Sequence, residues 1–583
     1  MEFSYSFNAT PPPVAAAPLL AAMPGNALAL SGEEFLWRSW DGAIGARLSR
    51  LELHVLQCCE AFASRDAHLA RIAATGVPVP HAAPVVDGLL ARGLLRDPAG
   101  FVPGDEPAGD DVGEPLVAIR TCARAASLDR LLQSLRADEE RFGCTRRYVV
   151  VDDTRDAAGV AANGAAIAAF ARTSRSTISH FDLAARAERF AALSAALDAA
   201  GRDVATSLLL RPRAGVTTGA LTWNWAVLLG AGGALSMLDD DFLFPMRMPP
   251  GASNRIEARD DTRSSMRFFD GSAGASLAVL PEEPYAYLRR YVGRSGASLH
   301  AAAPPDAAKL AGHSPAEAGL LALRGQVQCA VTGIWGALAW DSSVYLNVLD
   351  DASMHDLLRE PFSLARLNAD ECFHGVLAPR LATGGVFTPL LIDDRTLAPF
   401  APTGGKADDT AFLALFAAMR SHPLMAVLPA AIGHAPPVSR DRVARSREPL
   451  IRDLNGWISW YVGEVSGLLH GDDPALRLGA IGALFGLKLP PAARDSSDLK
   501  IEGRFTIDAA RREKLADLIG TSGSDELVIR VVKKAQGSQR SYVNGSLISR
   551  EELAALGRRL IDVHGQKDMA RLLTEKEQAA ALD

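Results

Sequence analysis

From Leu116 onward, short apolar runs alternate with helix-length amphipathic stretches, and this alternation limits the possible folds more than any other feature of the chain. "LVAIRT" reads as a strand, and "SLDRLLQSLRADEERFG" as a helix with Ser127 at its N-cap. "RRYVVVDDT" is a strand of β-branched and aromatic residues, "ALTWNWAVLLGAGG" a helix, and "ALSMLDDDF" a strand. Strands separated by helices predict an α/β domain with a mixed, mainly parallel sheet flanked by helices. Sheets of this kind bind ligands beyond the carboxyl ends of their strands. Asp152 and Asp153, and the run Asp239, Asp240, Asp241, fall at two such ends.

The chain has 583 residues, too many for one core. Residues 1–30, rich in Pro and Ala, read as a disordered tail. Residues 33–103 read as a small helical, winged-helix-like unit, with Leu48, Leu51, Val55 and Leu56 at helical spacing. It also resembles the small peptide-recognition domains attached to peptide-modifying enzymes, and a plain helical appendage is the third reading. "GDEPAGDDVGEP", Gly104 to Pro115, is an acidic linker. The main α/β domain is expected over 116–400 and a helical extension over 401–488. A second linker at Leu489 to Asp498 precedes a small α+β unit over 498–583.

A formal net charge of −7 gives no sign of a globally basic nucleic-acid binder. Cys58, Cys59, Cys122, Cys144, Cys329 and Cys372 form no CxxC pair and no dense framework, which fits a reducing cytoplasm. No signal peptide and no transmembrane helix is expected.

Three adjacent carboxylates repel one another and resist burial. A divalent cation, Mn²⁺ or Mg²⁺, relieves that repulsion and favours carboxylate and phosphate oxygens. Residues two apart in an extended segment point the same way. Asp239 and Asp241 are therefore expected to face one ligand while Asp240 turns away. The plain alternative is a solvated acidic turn.

In the order strand, helix, strand into "VVVDD", helix bearing Asn, strand into "DDD", the segment Leu116 to Phe244 resembles the nucleotide-binding half of family 2 type glycosyltransferases with the GT-A fold. The resemblance implies a nucleotide-sugar donor, an unknown acceptor and a metal ion. Asp152, Asp153, Asn224 and Asp239 would contact the donor, and Asp239 and Asp241 the metal. The family's acidic pair at the head of a late helix corresponds to Asp370, first choice as general base, and Glu371. His374 is a further candidate metal ligand or a histidine without a role. Gly333, with Gly336, would let a loop pass close under the donor or is an ordinary strand glycine. The long segment "TRSTISHFDLAARAERFAAL" departs from the family.

The segment from about Asp498 to Asp583 resembles a different family, the RecN group of SMC-like bacterial DNA repair ATPases. The resemblance is carried by Arg540, Tyr542, Asn544, Gly545, His564, Gly565, Gln566, Leu572 and Leu573. It implies a slice of an ATPase head, with Gln566 as the glutamine that senses nucleotide-bound metal and water. No G-x-x-x-x-G-K-[ST] occurs in the chain, so this slice is not expected to hydrolyse ATP by itself. Nucleic acid is a partner only if this unit is functional. Three functions are thus open: a glycosyltransferase, a RecN-like repair fragment, and a non-catalytic protein on a sugar-nucleotide fold.

Overall fold

The computed structural model describes residues 18–549 and 552, apart from 211–218, most of 359–370, 442–453, 489–498, 507–525, 534–538 and several shorter stretches. The chain forms two compact units, Met1–Leu478 and Gly479–Asp583.

The first unit opens with strands β1 (Leu19–Ala22), β2 (Gly25–Ala29), β3 (Glu34–Ser39) and β4 (Gly45–Ser49). Helix α1 (Arg50–Cys58), β5 (Ala63–Ser64), α2 (Arg65–Ala74), α3 (Val79–Ala91) and β6 (Leu95–Arg96) follow. The expected tail therefore ends before Leu19, because Leu20, Ala21 and Ala22 are buried and β1 pairs with both β5 and β6. The expected helical unit also carries the β2-β3-β4 meander. Ser49 and Glu52 form a reciprocal capping box that fixes the start of α1. The acidic linker is held by Arg289, which pairs with Asp111 and Glu114.

The α/β core begins with β7 (Leu116–Thr121), α4 (Ala125–Phe142), β8 (Arg147–Asp152), α5 (Ala157–Thr173) and β9 (Thr177–Phe181). It continues through α6 (Leu183–Ala195), α7 (Ala199–Leu209), α8 (Ala220–Gly230), β10 (Ala234–Asp239) and β11 (Phe242–Met248). Strands β12 (Ser265–Phe268), β13 (Ala278–Val279), β14 (Val327–Gly336), β15 (Cys372–Gly375), β16 (Arg380–Ala382), β17 (Pro389–Asp393) and β18 (Leu424–His434) complete one large sheet. Its main path runs β13-β11-β18-β14-β17-β10-β7-β8-β9. β10, β7, β8 and β9 are mutually parallel, β14 is parallel to β18, and β17 runs antiparallel between β10 and β14. The class is α/β, with a mixed sheet flanked by helices.

Helix α4 shows why the sequence takes this form. Leu128, Leu131, Leu132 and Leu135 lie on one stripe and are fully buried, each stabilising by roughly 1.5–3 kcal/mol. Gly143, at φ 64°, ends the helix in the left-handed conformation. Ser127 is not the N-cap. The helix starts at Ala125, after a left-handed Ala123, and takes Ser127 into its buried face.

The stretch 401–488, expected as a helical extension, holds helices at Asp408–Ala418, Leu454–Ser466 and Pro474–Lys488, but between the first two runs strand β18. β18 is buried along its whole length and pairs with β11, β14 and β16 inside the sheet. Pro429 sits where the register shifts, between the pairs Thr332–Leu428 and Gly333–Ala431, so its missing N–H costs no ladder bond in sequence.

In the second unit, β19 (Leu499–Thr506), β20 (Glu526–Lys533), β21 (Gln539–Val543) and β22 (Ser546–Ile548) form an antiparallel meander. Asn544 and Gly545, both at positive φ, make the β21–β22 turn. The Asn544 side chain accepts a hydrogen bond from Val528 N at 2.8 Å, tying the turn to β20.

Candidate functional site

From β7 the chain adds β8 and β9 on one side and later places β10 on the other. The gap between the carboxyl ends of β7 and β10 is thus a topological switch point, where open α/β sheets form a crevice. The register sets Arg120 beside Asp239, and Thr121 beside Asp152. Asp153 N donates to Thr121 O, and Asp240 N donates to Arg120 O. Both aspartate clusters therefore lie on one edge of the sheet, two strands apart.

The loop after β7 is tightly held. Ala123 adopts φ 54°, a conformation that side chains disfavour. Its N–H donates to Thr154 Oγ1 at 2.7 Å, locking the β7 loop to the β8 loop. Cys122 is exposed, and its thiol donates to Asp153 O at 3.6 Å.

Asp152 is fully buried and accepts from Thr154 N, Asn163 Nδ2 and His180 Nε2. Burial pushes its pKa up, but hydrogen bonds from His180, Thr154 and Asn163 outweigh that and bring it to about 2. Asp153 faces the other way and accepts from Arg186 Nη1 at 2.8 Å. Arg186, on α6, is 2% exposed.

The three aspartates after β10 divide their roles. Asp239 is the most open and pairs with Arg120 at 2.5 Å. The Arg120 guanidinium lies over the Trp223 ring, 4.6 Å from its centroid. Asp240 turns inward and accepts from Thr121 Oγ1 at 2.8 Å and Arg124 Nη1 at 3.2 Å. Burial lifts its pKa to about 6, against the hydrogen bond from Thr121 and the charge of Arg124. Asp241 is buried too, 3.6 Å from Arg124 and 3.8 Å from His434 Nε2.

The expected Mn²⁺ or Mg²⁺ does not fit this arrangement. Asp239 and Asp240 are each matched to a guanidinium, and Asp241 faces Arg124 as well. A divalent ion here would meet Arg120 and Arg124 before an open pair of carboxylates. Among the described residues, no group of three or more His, Cys, Asp or Glu side chains is placed to hold a metal.

Asn224, Glu371, His374 and Gly333 are each engaged in contacts other than those of the two aspartate clusters. Asn224 is buried in α8 and spends its amide on the backbone: Nδ2 donates to Leu208 O and Ala401 O, and Oδ1 accepts from Ala401 N. That clamp leaves it a packing role rather than donor contact. Glu371 is followed by strand β15, not by a helix, and its carboxylate accepts from Ala273 N at 2.5 Å. His374, in β15, is buried and hydrogen-bonded to Ser264 Oγ at 2.7 Å. Burial drives its pKa down to about 3, so it is neutral near pH 7. Gly333 is a strand residue of β14, where an added Cβ would lie 2.6 Å from His374 O. Asp370 and Gln566 lie outside the described residues.

Sequence reading passed over Arg120, Thr121, Arg124, His180 and Arg186. The signal for the first three was present in "LVAIRTCAR", which places two arginines and a threonine around the end of the first strand.

An α/β domain with two aspartate clusters and their arginine partners at a topological switch point is therefore the class that fold and site define. Part of the chain is similar to DNA repair proteins. It is 35% identical over 92 residues to the DNA repair protein RecN of Mycobacterium leprae, covering 14% of this chain and 16% of that protein. It is 26% identical over 117 residues to RecN of Xylella fastidiosa, covering 19% and 21%. The chain thus spans about a sixth to a fifth of the length of these relatives. No protein-family model and no solved structure matches the chain. Of the motif residues named above for the RecN likeness, Arg540, Tyr542, Asn544 and Gly545 fall on the β21–β22 hairpin. No helix among the described residues is long and apolar enough to cross a membrane.

Proposed function

We propose that the α/β unit binds a nucleotide-sugar at the β7–β10 switch point and transfers the sugar to an acceptor hydroxyl. The observation that carries this reading is the shared edge: Asp153, Thr121 and Asp240 are linked through adjacent strand ends. Asp153 is the partly open carboxylate at the end of β8 and suits nucleoside N–H or ribose hydroxyl donors. In this reading Arg124, beside Asp240 and Asp241, would offset the negative charge that grows on a departing diphosphate. In transfer, the acceptor oxygen bonds to the anomeric carbon as the bond to the diphosphate breaks. The acceptor proton goes to a carboxylate, and Asp370, the base that the family resemblance implies, is the candidate. Calorimetry with UDP and GDP on the full chain tests the reading, comparing wild type with Asp153→Ala. Heats that are absent, or equal in the two proteins, refute it.

A second reading belongs to the second unit and is favoured by the two RecN matches. That unit would be a RecN-like module acting with DNA or with a nucleotide-binding partner. DNA-stimulated ATP hydrolysis by the full chain, or DNA binding lost on removing residues after Leu489, supports it. A chain that neither binds DNA nor hydrolyses ATP argues against it.

A further inference from the structure

We infer that the open edge of β2, with the cavity beneath it, is the seat of an added strand, and that its occupant is the chain's own segment Glu2 to Asn8.

Among the described residues β2 pairs with β3 alone, and Asn26, Ala27, Leu28 and Ala29 are exposed. A strand edge offers a row of unpaired N–H and C=O groups, which proteins guard with charge, proline or a covering segment. "GNALA", the sequence of β2, carries neither charge nor proline. The opposite edge of the same sheet is met differently: Arg92, at the end of α3, donates from Nη2 to Arg47 O in β4 at 2.9 Å. Beneath β2 lies a cavity of about 290 Å³, whose lining includes Met23, Trp37, Leu53, Leu56 and Pro315. The residues that β2 itself turns to the cavity are small. Gly25 and Ala27, two apart, both line it, and Ala27 stands opposite Trp37. Large side chains on a neighbouring strand would fill the hollow that these small ones leave.

A strand with that pattern is present in the sequence. "EFSYSFN", Glu2 to Asn8, puts Phe3, Tyr5 and Phe7 on one side of an extended chain and Ser4, Ser6 and Asn8 on the other. Its large apolar residues recur at the same period as the small residues of β2. Residues 1–17 lie outside the described residues, and the described chain begins just ahead of β1. The link Ala9 to Pro18, with Pro11, Pro12, Pro13 and Pro18, reaches about 31 Å as polyproline II. Leu19, where it joins β1, and Gly25, where β2 begins, are at most about 21 Å apart along any chain path. The link is therefore long enough to bring the segment to the edge.

The test compares the full-length chain, a chain lacking residues 2–9, and a full-length variant carrying Phe3→Ser, Tyr5→Ser and Phe7→Ser together. Amide exchange over residues 25–30 should be at least tenfold slower in wild type than in either altered chain. A synthetic peptide of residues 2–9 should restore slow exchange to both. By calorimetry that peptide should bind the altered chains and bind wild type at least tenfold more weakly, because the tethered copy competes at high effective concentration. The same peptide with the three serines should not bind. Equal exchange over residues 25–30 in wild type and the altered chains overturns the inference. Equal peptide affinity for all three chains overturns the choice of occupant and leaves the edge to a foreign extended segment. A wild-type dimer that Ala27→Pro converts to monomer overturns it too, and assigns the edge to a second copy.

Discussion

His374 gives the most direct check on the buried chemistry of the sheet. Its imidazole is enclosed between β12 and β14 and hydrogen-bonded to Ser264. Burial lowers its pKa from 6.5 to about 3. Between those two values the unfolded chain binds a proton that the folded chain refuses. Unfolding then takes up protons, so stability falls as pH falls below 6.5 and the loss is complete near pH 3. Integrating that difference, the wild type should lose about 2 kcal/mol between pH 8 and pH 5 from this residue alone. For the unit Met1–Leu478, with an unfolding entropy of about 2.1 cal/mol/K per residue, that is a drop in melting temperature of about 2 °C. His374→Gln keeps a group able to hydrogen-bond to Ser264 and removes the titration. The variant will melt lower overall, but its pH 8 to pH 5 drop should be smaller than that of wild type by the stated amount. Other titrating groups, such as Asp240 with its pKa near 6, act in both proteins alike and cancel in the comparison. Scanning calorimetry at the two pH values measures it. The same drop in both proteins refutes the burial argument.

Asp152→Asn should destabilise the unit by about 2 kcal/mol at pH 7, because the amide turns one oxygen into a donor facing Asn163 and His180. Since the Asp152 pKa is depressed to about 2, its contribution is present above the unfolded value of 3.8 and lost as pH falls through 2. Melting curves of the two proteins should therefore converge in strong acid. Gly333→Ala should cost about 1–3 kcal/mol or abolish soluble expression, since the new methyl meets His374 O; a melting temperature equal to wild type contradicts the close approach of β14 and β15. Asn544→Ala should destabilise the second unit by about 1–2 kcal/mol through loss of the bond to Val528 N and of a residue suited to φ 47°. Amide exchange at Val528 should quicken, and an unchanged rate speaks against that contact.

The strands that build the switch point were legible because each is a compact β-branched or apolar run ending in charge, as in "YVVVDD" and "LSMLDD". β18 was not. "LMAVLPAAIGH" is apolar on every side, so it carries no period of two, and a proline interrupts it. A fully buried strand of this kind cannot be told from a buried helix by pattern. β15 was hidden for a related reason: four residues, all buried, offer no alternation to read. At the site, the aspartates announced themselves by charge, but their partners did not. Arg120 and Thr121 meet Asp239 and Asp240 only through the β7–β10 register, and register is a property of strand pairing that no local pattern contains. Asn224 misled for the opposite reason. A polar residue in an apolar helix invites a functional role, whereas here it clamps the backbone at Leu208 and Ala401.

Cys122 sits in the loop between the first strand of the α/β core and α4, exposed, with Asp153 O as its hydrogen-bond acceptor. The other described cysteines are buried or half-buried. That difference makes Cys122 an attachment point for a thiol-reactive dye beside the aspartates at the end of β8. Partial burial and the nearby Asp153 and Asp152 charges raise its pKa, so labelling should run faster at mildly alkaline pH than at neutral pH. A dye placed there would turn occupancy of the switch point into an optical signal, and the protein could be screened against anionic ligands without knowing its substrate in advance.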